Sequence, residues 1–255
     1  MADRLYCLYA DLVTIDATLS LTAGTANGSF PLTNLQDERP DIVFKATGTS
    51  ATIRATFGAA QRVQGIALIN HNLHGLTLTV TNNGAMPSIA MPVPAAAADG
   101  LPVNPWLDLR QIGGTTATQW NVAITGAAAN VAIGELLLME TLSIMPMRWN
   151  VSVRERHPII SHHSEYHIPL RYGLGVRYRS LSGEVNRETE RAAITNIHRS
   201  AKGALKPWAF ILDSDVNDCM MVQCDESSEW THERQSPSVT STTVAIEEMC
   251  AGVVL

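Results

Sequence analysis

The chain has 255 residues, of which 45% are hydrophobic and 16% are charged, and its formal net charge is −6. These values allow a sizeable core and exclude a disordered chain. A net negative charge disfavours a dedicated nucleic-acid-binding protein, so we expect no nucleic acid among its partners. The sequence has no apolar run of about 18 residues and predicts no transmembrane helix or membrane insertion. Its first residues predict no signal peptide, so we expect a soluble protein made in a cytoplasm.

Charged residues are distributed unevenly. Residues 1–144 contain 6 Lys and Arg and 10 Asp and Glu, whereas residues 145–255 contain 12 and 14. The second part also holds six of the eight histidines. This shift predicts two domains, 1–144 and 145–255, each of a size that can bury a core.

Alternating apolar and polar residues predict that the first domain is all-β. Ile53, Ala55 and Phe57 alternate with polar residues, and threonines alternate with apolar residues between positions 76 and 81. Period 2 is typical of half-buried antiparallel strands. Short strands separated by Gly, Pro and Asn clusters predict a β-sandwich or jelly roll. Residues 86–105 predict a long surface excursion. The predicted strands are 51–57, 65–70, 76–81 and 120–124.

The second domain is predicted to be β-rich with one packed α-helix over about 187–202. Ile194 and Ile197 follow helical spacing, Asn186 is a candidate N-cap, and Gly203 is a candidate stop. The predicted strands are 174–180, 208–212, 219–224 and 242–249.

Several stretches resemble modules of bacteriophage tails. Residues 34–45 (NLQDERPDIVFK) precede the strand at 51–57, and residues 63–73 (VQGIALINHNL) follow it. This order resembles the discoidin-like sandwich modules of tailed-phage tail proteins. Residues 177–212, with a strand, an Arg- and Glu-rich helix and the segment PWAFIL, are similar to the ring domain of phage distal tail proteins.

The resemblance implies a virion structural protein at the distal end of a long non-contractile tail. It implies that the chain assembles with itself into a ring, a hexamer or a trimer, by heterologous contacts. The expected partners are the tail-tube and tail-tip hub proteins, and the expected location is the phage tail of the virion.

An alternative function is a carbohydrate-binding adhesion module of the tail tip that contacts a host-surface glycan. Discoidin-like modules bind sugars through rim loops, and the corresponding loops here are 34–39 and 70–75. A structural alternative is that these side chains bond the backbone of turns, and His71 and Asn72 favour it. The candidate ligand-rim residues are Asn34, Asp37, Arg39, Asn70, His71 and Asn72.

Arginines and glutamates cluster around the predicted helix. Planar guanidinium groups bind carboxylates in bidentate fashion, which suits a subunit interface. The alternative is a solvated face, and the intervening glutamates disfavour nucleic acid. The candidate assembly-interface residues are Arg177, Arg179, Glu188, Arg191 and Arg199.

Residues 157–167 (HPIISHHSEYH) contain four histidines and a glutamate. Three alternatives stay open: a metal site, an exposed polar loop or arm, and an inter-subunit contact. A metallohydrolase that uses this cluster is a third possible function, after the structural protein and the carbohydrate-binding module. The motif HExxH is absent, and we predict no tightly bound metal.

No motif predicts catalysis. The sequence has no GxSxG, no P-loop and no dinucleotide fingerprint, so we expect no enzyme, no catalytic residue and no cofactor. The four cysteines form no CxxC pair, and we expect free buried thiols.

Overall fold

The computed structural model describes residues 5–96, 103–145, 152–156, 159–163, 169–173, 178–185, 208–213, 218–224, 232–236 and 239–248. The predicted mainly-β class is confirmed, because antiparallel strands dominate these residues. Two short helical segments interrupt them, α1 (Leu12–Asp16) and a 3₁₀ turn (Leu32–Gln36). The helix predicted over 187–202 lies outside the described residues. No helix in the described part of the chain is long and apolar enough to cross a membrane.

One face of the predicted sandwich is a five-stranded antiparallel sheet. Its core-facing residues alternate with exposed or half-exposed residues, as the period-2 pattern predicts. In spatial order its strands are β2 (Ala17–Ala23), β4 (Ala51–Arg62), β9 (Thr116–Ile124), β6 (Thr77–Asn82) and β7 (Ile89–Pro92).

The other face belongs to an 11-stranded sheet that extends beyond the sandwich. Its main path contains β11 (Ser152–Arg156), β14 (Tyr178–Val185), β18 (Val239–Glu248), β16 (Asp218–Cys224), β15 (Trp208–Asp213), β1 (Leu5–Asp11), β10 (Ala132–Met145), β5 (Gly65–His71) and β8 (Trp106–Asp108). Two further strands leave this path, β17 (His232–Ser236) beside β18 and β3 (Phe44–Lys45) beside β10. A separate hairpin contains β12 (Ile159–His163) and β13 (Pro169–Gly173).

The sandwich core lies between the two sheets. It includes fully buried Leu35, Phe44, Ile53, Leu68 and Trp120. Burial of such side chains is worth about 1.5–3 kcal/mol each, so this cluster supplies much of the driving force for folding. The β-sandwich predicted for the first domain is therefore present as two packed antiparallel sheets.

A second apolar cluster covers the outer face of β5 and β10. Ala67 and Ile69 of β5 and Leu137 of β10 pack with Ile211 of β15 and Met221 of β16. All seven residues of β5 are buried, because one face contacts the sandwich core and the other contacts this cluster. The sandwich and the strands that follow residue 207 therefore share a buried layer.

Asn104 closes this layer. Its side-chain oxygen accepts a hydrogen bond from the Asn70 amide at 2.8 Å, and its side-chain amide donates to the Cys219 carbonyl at 2.9 Å. The Cys219 amide donates to the Asn104 carbonyl at 2.9 Å. Asn104 is 1% exposed, so these bonds are shielded from water and fix β16 against the segment before β8.

The predicted boundary at 144/145 falls near the end of β10, a strand of 14 residues. β10 pairs with β1, and β1 pairs in turn with β15 of the second part. Hydrogen bonding therefore continues from one part of the chain to the other. The division into domains 1–144 and 145–255 stays a prediction.

The strands predicted at 51–57, 65–70, 76–81 and 120–124 correspond to β4, β5, β6 and β9. Those predicted at 208–212, 219–224 and 242–249 correspond to β15, β16 and β18. The predicted surface excursion over 86–105 is wrong in part. It contains β7, with Met91 and Val93 buried, because this segment completes the five-stranded sheet.

Replacing Asn104 by alanine tests the closure of the second cluster. Asn104→Ala leaves the buried Asn70 amide and the Cys219 carbonyl without their Asn104 side-chain partner, at a cost of about 2–4 kcal/mol. Chemical denaturation measures this loss. The control is Asn27→Ala, which removes a bond to the Ser29 amide in an exposed turn and costs less than about 1 kcal/mol. Equal losses in the two variants would contradict the role of Asn104.

Candidate functional site

The candidate ligand-rim residues converge at one end of the sandwich. We call this region the loop end and define it as residues 34–41, 70–75, 103–104 and 130–135. The β5 strand ends there at His71, and the β10 strand begins there at Ala132. A chain of hydrogen bonds links the segments, so the structure brings together residues that are far apart in sequence.

Asn70 ties two of these segments together. Its φ of 51° lies in the left-handed region, which asparagine adopts more readily than most residues. Its side-chain amide donates to the Pro40 carbonyl at 2.7 Å. A Cβ at Gly134 would clash with the same carbonyl, so glycine is needed where the 37–41 segment crosses β10.

His71 is a buried, neutral histidine. Its Nδ1 accepts a hydrogen bond from the Leu73 amide at 3.1 Å, so the proton lies on Nε2, which donates to the Val103 carbonyl at 3.1 Å. Burial, and to a smaller extent the neighbouring His74, lower the pKa of His71 to about 3 against the opposing effect of the Val103 bond. This geometry matches the structural alternative weighed for His71 in the sequence.

Asn72 and Asn34 also bond the backbone. The Asn72 side chain donates to the Asn130 carbonyl at 2.7 Å and accepts from the Ala132 amide at 3.0 Å. The Asn34 side chain donates to the Val43 carbonyl at 2.9 Å. These amides therefore hold the loops in place, and their main hydrogen-bonding groups are engaged.

Asp37 and Arg39 lie on an exposed turn that is fixed from below by Glu135. The Arg39 amide donates to Glu135 at 2.7 Å and to Asp37 at 2.9 Å. The Arg39 guanidinium reaches Asp41 at 3.2 Å, and both side chains of this ion pair are more than half exposed (61% and 51%). An ion pair this exposed contributes little to stability, so both groups are available to a ligand.

Glu135 is a buried carboxyl group with no exposed surface. Burial raises its pKa to about 9, with smaller contributions in the same direction from the charge of Asp11 and from the hydrogen bond and charge of Asp37. The bond from the Arg39 amide opposes this shift. Glu135 is therefore protonated at neutral pH in the folded protein.

Asp11 is a second carboxyl group that interacts electrostatically with Glu135. It caps α1 by accepting hydrogen bonds from the Val13 and Thr14 amides, and it also accepts one from the Leu138 amide of β10. Shielding from water raises its pKa, whereas these bonds lower it. Asp11 thus anchors the start of the sandwich to the strand that carries Glu135.

The aromatic side chains of the sandwich provide little exposed surface. Trp106 of β8 and Trp120 of β9 are 8% and 1% exposed, so neither offers an exposed ring. Phe30 is half-buried, and the Lys45 ammonium lies 4.7 Å from the centre of its ring. The groups that the loop end exposes are therefore mostly polar.

The candidate assembly-interface residues lie largely outside the described residues. Arg177, Glu188, Arg191 and Arg199 are in this category, and the backbone of Arg179 lies in β14 opposite Glu155 of β11. Their role at an interface stays a prediction.

The histidine cluster is also only partly covered. The backbones of His162 and His163 lie in β12, whereas His157, Glu165 and His167 lie outside the described residues. Across the described part of the chain, no group of three His, Cys, Asp or Glu side chains is placed to hold a metal ion. Among the cysteines, the side chain of Cys219 in β16 is buried, as expected.

Comparison with known proteins finds no matching family model and no matching curated protein. Solved structures are similar over half of the chain. The lectin domain of lectinolysin complexed with Lewis B antigen has a TM-score of 0.39 and 11% identity, over 52% of this chain and 97% of that chain. A fucose-binding module of Streptococcus pneumoniae has a TM-score of 0.40 and 8% identity, over 52% and 96%.

Two further solved structures are similar to a comparable extent. Chitosan-binding module 1 of a chitosanase/glucanase from Paenibacillus sp. IK-5 has a TM-score of 0.38 and 14% identity, over 51% and 98%. SpGH29, at a TM-score of 0.39 and 16% identity, is covered over only 28% of its own length. TM-scores near 0.4 at such identities assign no function to this chain.

Sequence reasoning missed Asn104, Gly134 and Glu135. Glu135 stands alone among apolar residues from 131 to 139, and a lone acidic residue in an apolar run is a signal of a buried, hydrogen-bonded carboxyl. Asn104 lies next to the 97–102 segment and carries no comparable signal. Its partners at positions 70 and 219 become neighbours only in the fold.

Replacing Glu135 by glutamine tests its protonated state. Between the ordinary pKa of 4.5 in the unfolded chain and about 9 in the fold, the folded state binds the extra proton. Stability therefore falls as pH rises, by about 1.4 kcal/mol per pH unit, until pH exceeds the folded pKa. The opposing window of His71 lies between about 3 and 6.5, so it does not overlap pH 7–9.

From pH 7 to pH 9 the parent protein should lose about 2 kcal/mol through Glu135. Glu135→Gln should remove this loss, because glutamine keeps an acceptor for the Arg39 amide. Urea unfolding at the two pH values measures the difference. The control is Glu140→Gln, an exposed residue of the same strand, which should keep the parent's pH dependence. An unchanged dependence in Glu135→Gln would refute a protonated Glu135.

Proposed function

We propose that this chain is a non-catalytic structural protein whose sandwich binds a carbohydrate at the loop end. The observation that supports this proposal is the combination of a fixed scaffold and exposed polar groups. Asn34, Asn70, His71 and Asn72 are engaged with the backbone. The candidate residues for contact with a ligand are therefore their exposed neighbours on the same loops, Arg39, Asp41 and His74.

Sugar hydroxyl groups are bound by hydrogen bonds whose geometry must be held before the ligand arrives. A preorganised loop loses less conformational entropy on binding, which leaves more of the interaction energy as affinity. Hydrogen bonds that involve a charged partner are worth about 1.5–3 kcal/mol, more than neutral ones. The loop end combines both properties, because its backbone is bonded internally and its guanidinium and carboxylate groups face water.

Glycan binding is the first test of this proposal. The full chain should bind at least one class of oligosaccharide on an array that includes fucosylated glycans and chitosan oligosaccharides. Titration of the best ligand should then show that Arg39→Ala and His74→Ala each weaken binding about tenfold, as expected for the loss of one hydrogen bond to the ligand.

The control is Arg62→Ala. Arg62 is an exposed arginine at the opposite end of β4 from the loop end, and its loss should leave affinity unchanged. Absence of binding to every glycan at millimolar concentration would contradict the proposal. Equal losses in Arg39→Ala and Arg62→Ala would place binding elsewhere.

We further propose that the chain acts within a bacteriophage tail tip, as a ring-forming distal tail component that carries the sandwich. The continuous sheet from β1 and β10 into β15 supports this reading, because a shared buried layer joins the sandwich rigidly to the strands beyond it. A rigid joint transmits force between a scaffold and a binding surface. The Arg- and Glu-rich segment around 187–199 is the candidate ring contact.

Light scattering after size-exclusion chromatography tests assembly. The full chain should form a closed oligomer, and negative-stain images should show rings. Arg191→Ala should lower the mass of the oligomer, because a bidentate contact with a carboxylate is lost. Arg62→Ala, on the sandwich, should not. A strictly monomeric parent protein, or equal effects of the two substitutions, would contradict the ring.

A further inference from the structure

The β2 strand forms one edge of the five-stranded sheet. It pairs with β4 on one side, and no strand of the described residues pairs with its other side. Along such an edge, alternate residues direct their N–H and C=O groups away from the sheet. The opposite edge, β7, is four residues long and contains Pro92, whereas β2 has seven residues without proline or charge. Among the described residues, protection is therefore present at the β7 edge and missing at the β2 edge.

The sequence of β2 is a palindrome. It reads ATLSLTA from Ala17 to Ala23, centred on Ser20. Two antiparallel copies related by a two-fold axis at Ser20 place identical residue types opposite each other. The pairs are Ala17 with Ala23, Thr18 with Thr22, Leu19 with Leu21, and Ser20 with Ser20 of the second copy.

This register satisfies the geometry of antiparallel strands. Opposed residues always have the same parity, so hydrogen-bonding positions meet hydrogen-bonding positions. The burial pattern agrees, because Leu19 and Leu21 pack against the core and Thr18 and Ser20 are exposed. Leucine therefore meets leucine on the core side, and hydroxyl side chains meet on the outer face. The bulge in the β2–β4 pairing lies between Leu21 and Ala23 and ends the alternation, since Thr22 and Ala23 are both exposed, so the matched faces extend from Thr18 to Thr22.

Charge permits self-pairing at this edge. In the same register Asp16, which precedes β2, lies opposite Gly24 rather than opposite a second carboxylate. Like charges directly opposite each other would destabilise the pair, and here none meet within or beside the strand. Leu19 and Leu21 are only half-buried, so a second strand would remove apolar surface from water.

We propose that two copies of this chain pair through β2, antiparallel and centred on Ser20, to form a continuous ten-stranded sheet from two five-stranded sheets. The contact is isologous, because the same strand of each copy contributes to it. It differs from the heterologous ring contact proposed for the second part of the chain. It does not depend on ring formation or on carbohydrate binding.

Cysteine cross-linking tests the register. Opposed residues of antiparallel strands lie within the Cα separation that a disulfide requires. Ser20→Cys should therefore form a covalent dimer when oxidised by dissolved oxygen with copper phenanthroline. Thr18→Cys is the matched control on the same strand and face, because two copies of residue 18 lie about 14 Å apart in this register. We expect at least tenfold more dimer from Ser20→Cys, with the parent protein as background for its native cysteines.

A mixture of Thr18→Cys and Thr22→Cys proteins should form a mixed disulfide, since these positions oppose each other. Equal cross-linking by Ser20→Cys and Thr18→Cys, or none above background, would overturn the proposal. No cross-linking above background is also the result expected if another segment of the same chain covers β2.

A non-covalent test uses charge. Ser20→Lys places two ammonium groups opposite each other on the axis and should raise the dissociation constant of the β2 pair at least tenfold in sedimentation velocity. Thr79→Lys adds the same charge to an exposed position of β6 and should leave that constant unchanged. Arg191→Ala should not affect the Ser20→Cys cross-link, so failure of the ring and failure of the β2 pair are distinguishable. An unaltered constant in Ser20→Lys would also refute the pairing.

Discussion

Burial of both faces of β5 and β10 is the constraint on which the rest of this structure depends. A strand in an isolated sandwich exposes one face, but here the second face packs against β15 and β16. Exposing that face would return Ile69, Leu137 and Met139 to water, at about 25 cal/mol for each Å² of apolar surface. The sandwich and the following strands are therefore energetically coupled, although their compositions differ sharply.

Polar residues at and beside the ends of these strands hold the segments of the loop end in place. A backbone group buried beside an apolar core must find a partner, and Asn70, Asn72, His71 and Asn104 supply partners that the strands cannot. The cost is that these side chains are used structurally. Under the proposed function, the exposed neighbours of these residues would contact the carbohydrate. The buried residues beneath them fix their positions.

Two buried titratable groups also have a structural role, so their protonation affects the stability of the fold. Glu135 and His71 are both held in their neutral forms by burial, and their pKa values move in opposite directions. Each faces the backbone of a loop rather than an open cleft. Deprotonation of Glu135 at high pH therefore affects the attachment of the 37–41 segment. Protonation of His71 at low pH affects the attachment of the 103–104 segment.

The sequence by itself determined the strands whose burial is local. Period-2 alternation in β4, β6 and β9 and the apolar run of β5 identified elements of a β-sandwich, because the pattern of one strand records which face meets the core. The palindrome of β2 can likewise be read from the sequence, but the position of β2 at the edge of a sheet cannot.

Tertiary structure alone decided which strands became neighbours and which polar residues were anchors. The pairing of β1 with both β10 and β15 joins positions about 130 and 200 residues apart, and no local pattern encodes a partner at that distance. The rim residues were recognised as polar side chains in loops, but whether such a side chain faces a ligand or a carbonyl depends on what packs beneath it. For Asn70 and His71 that was Pro40 and Val103, brought there by burial of the strands between them.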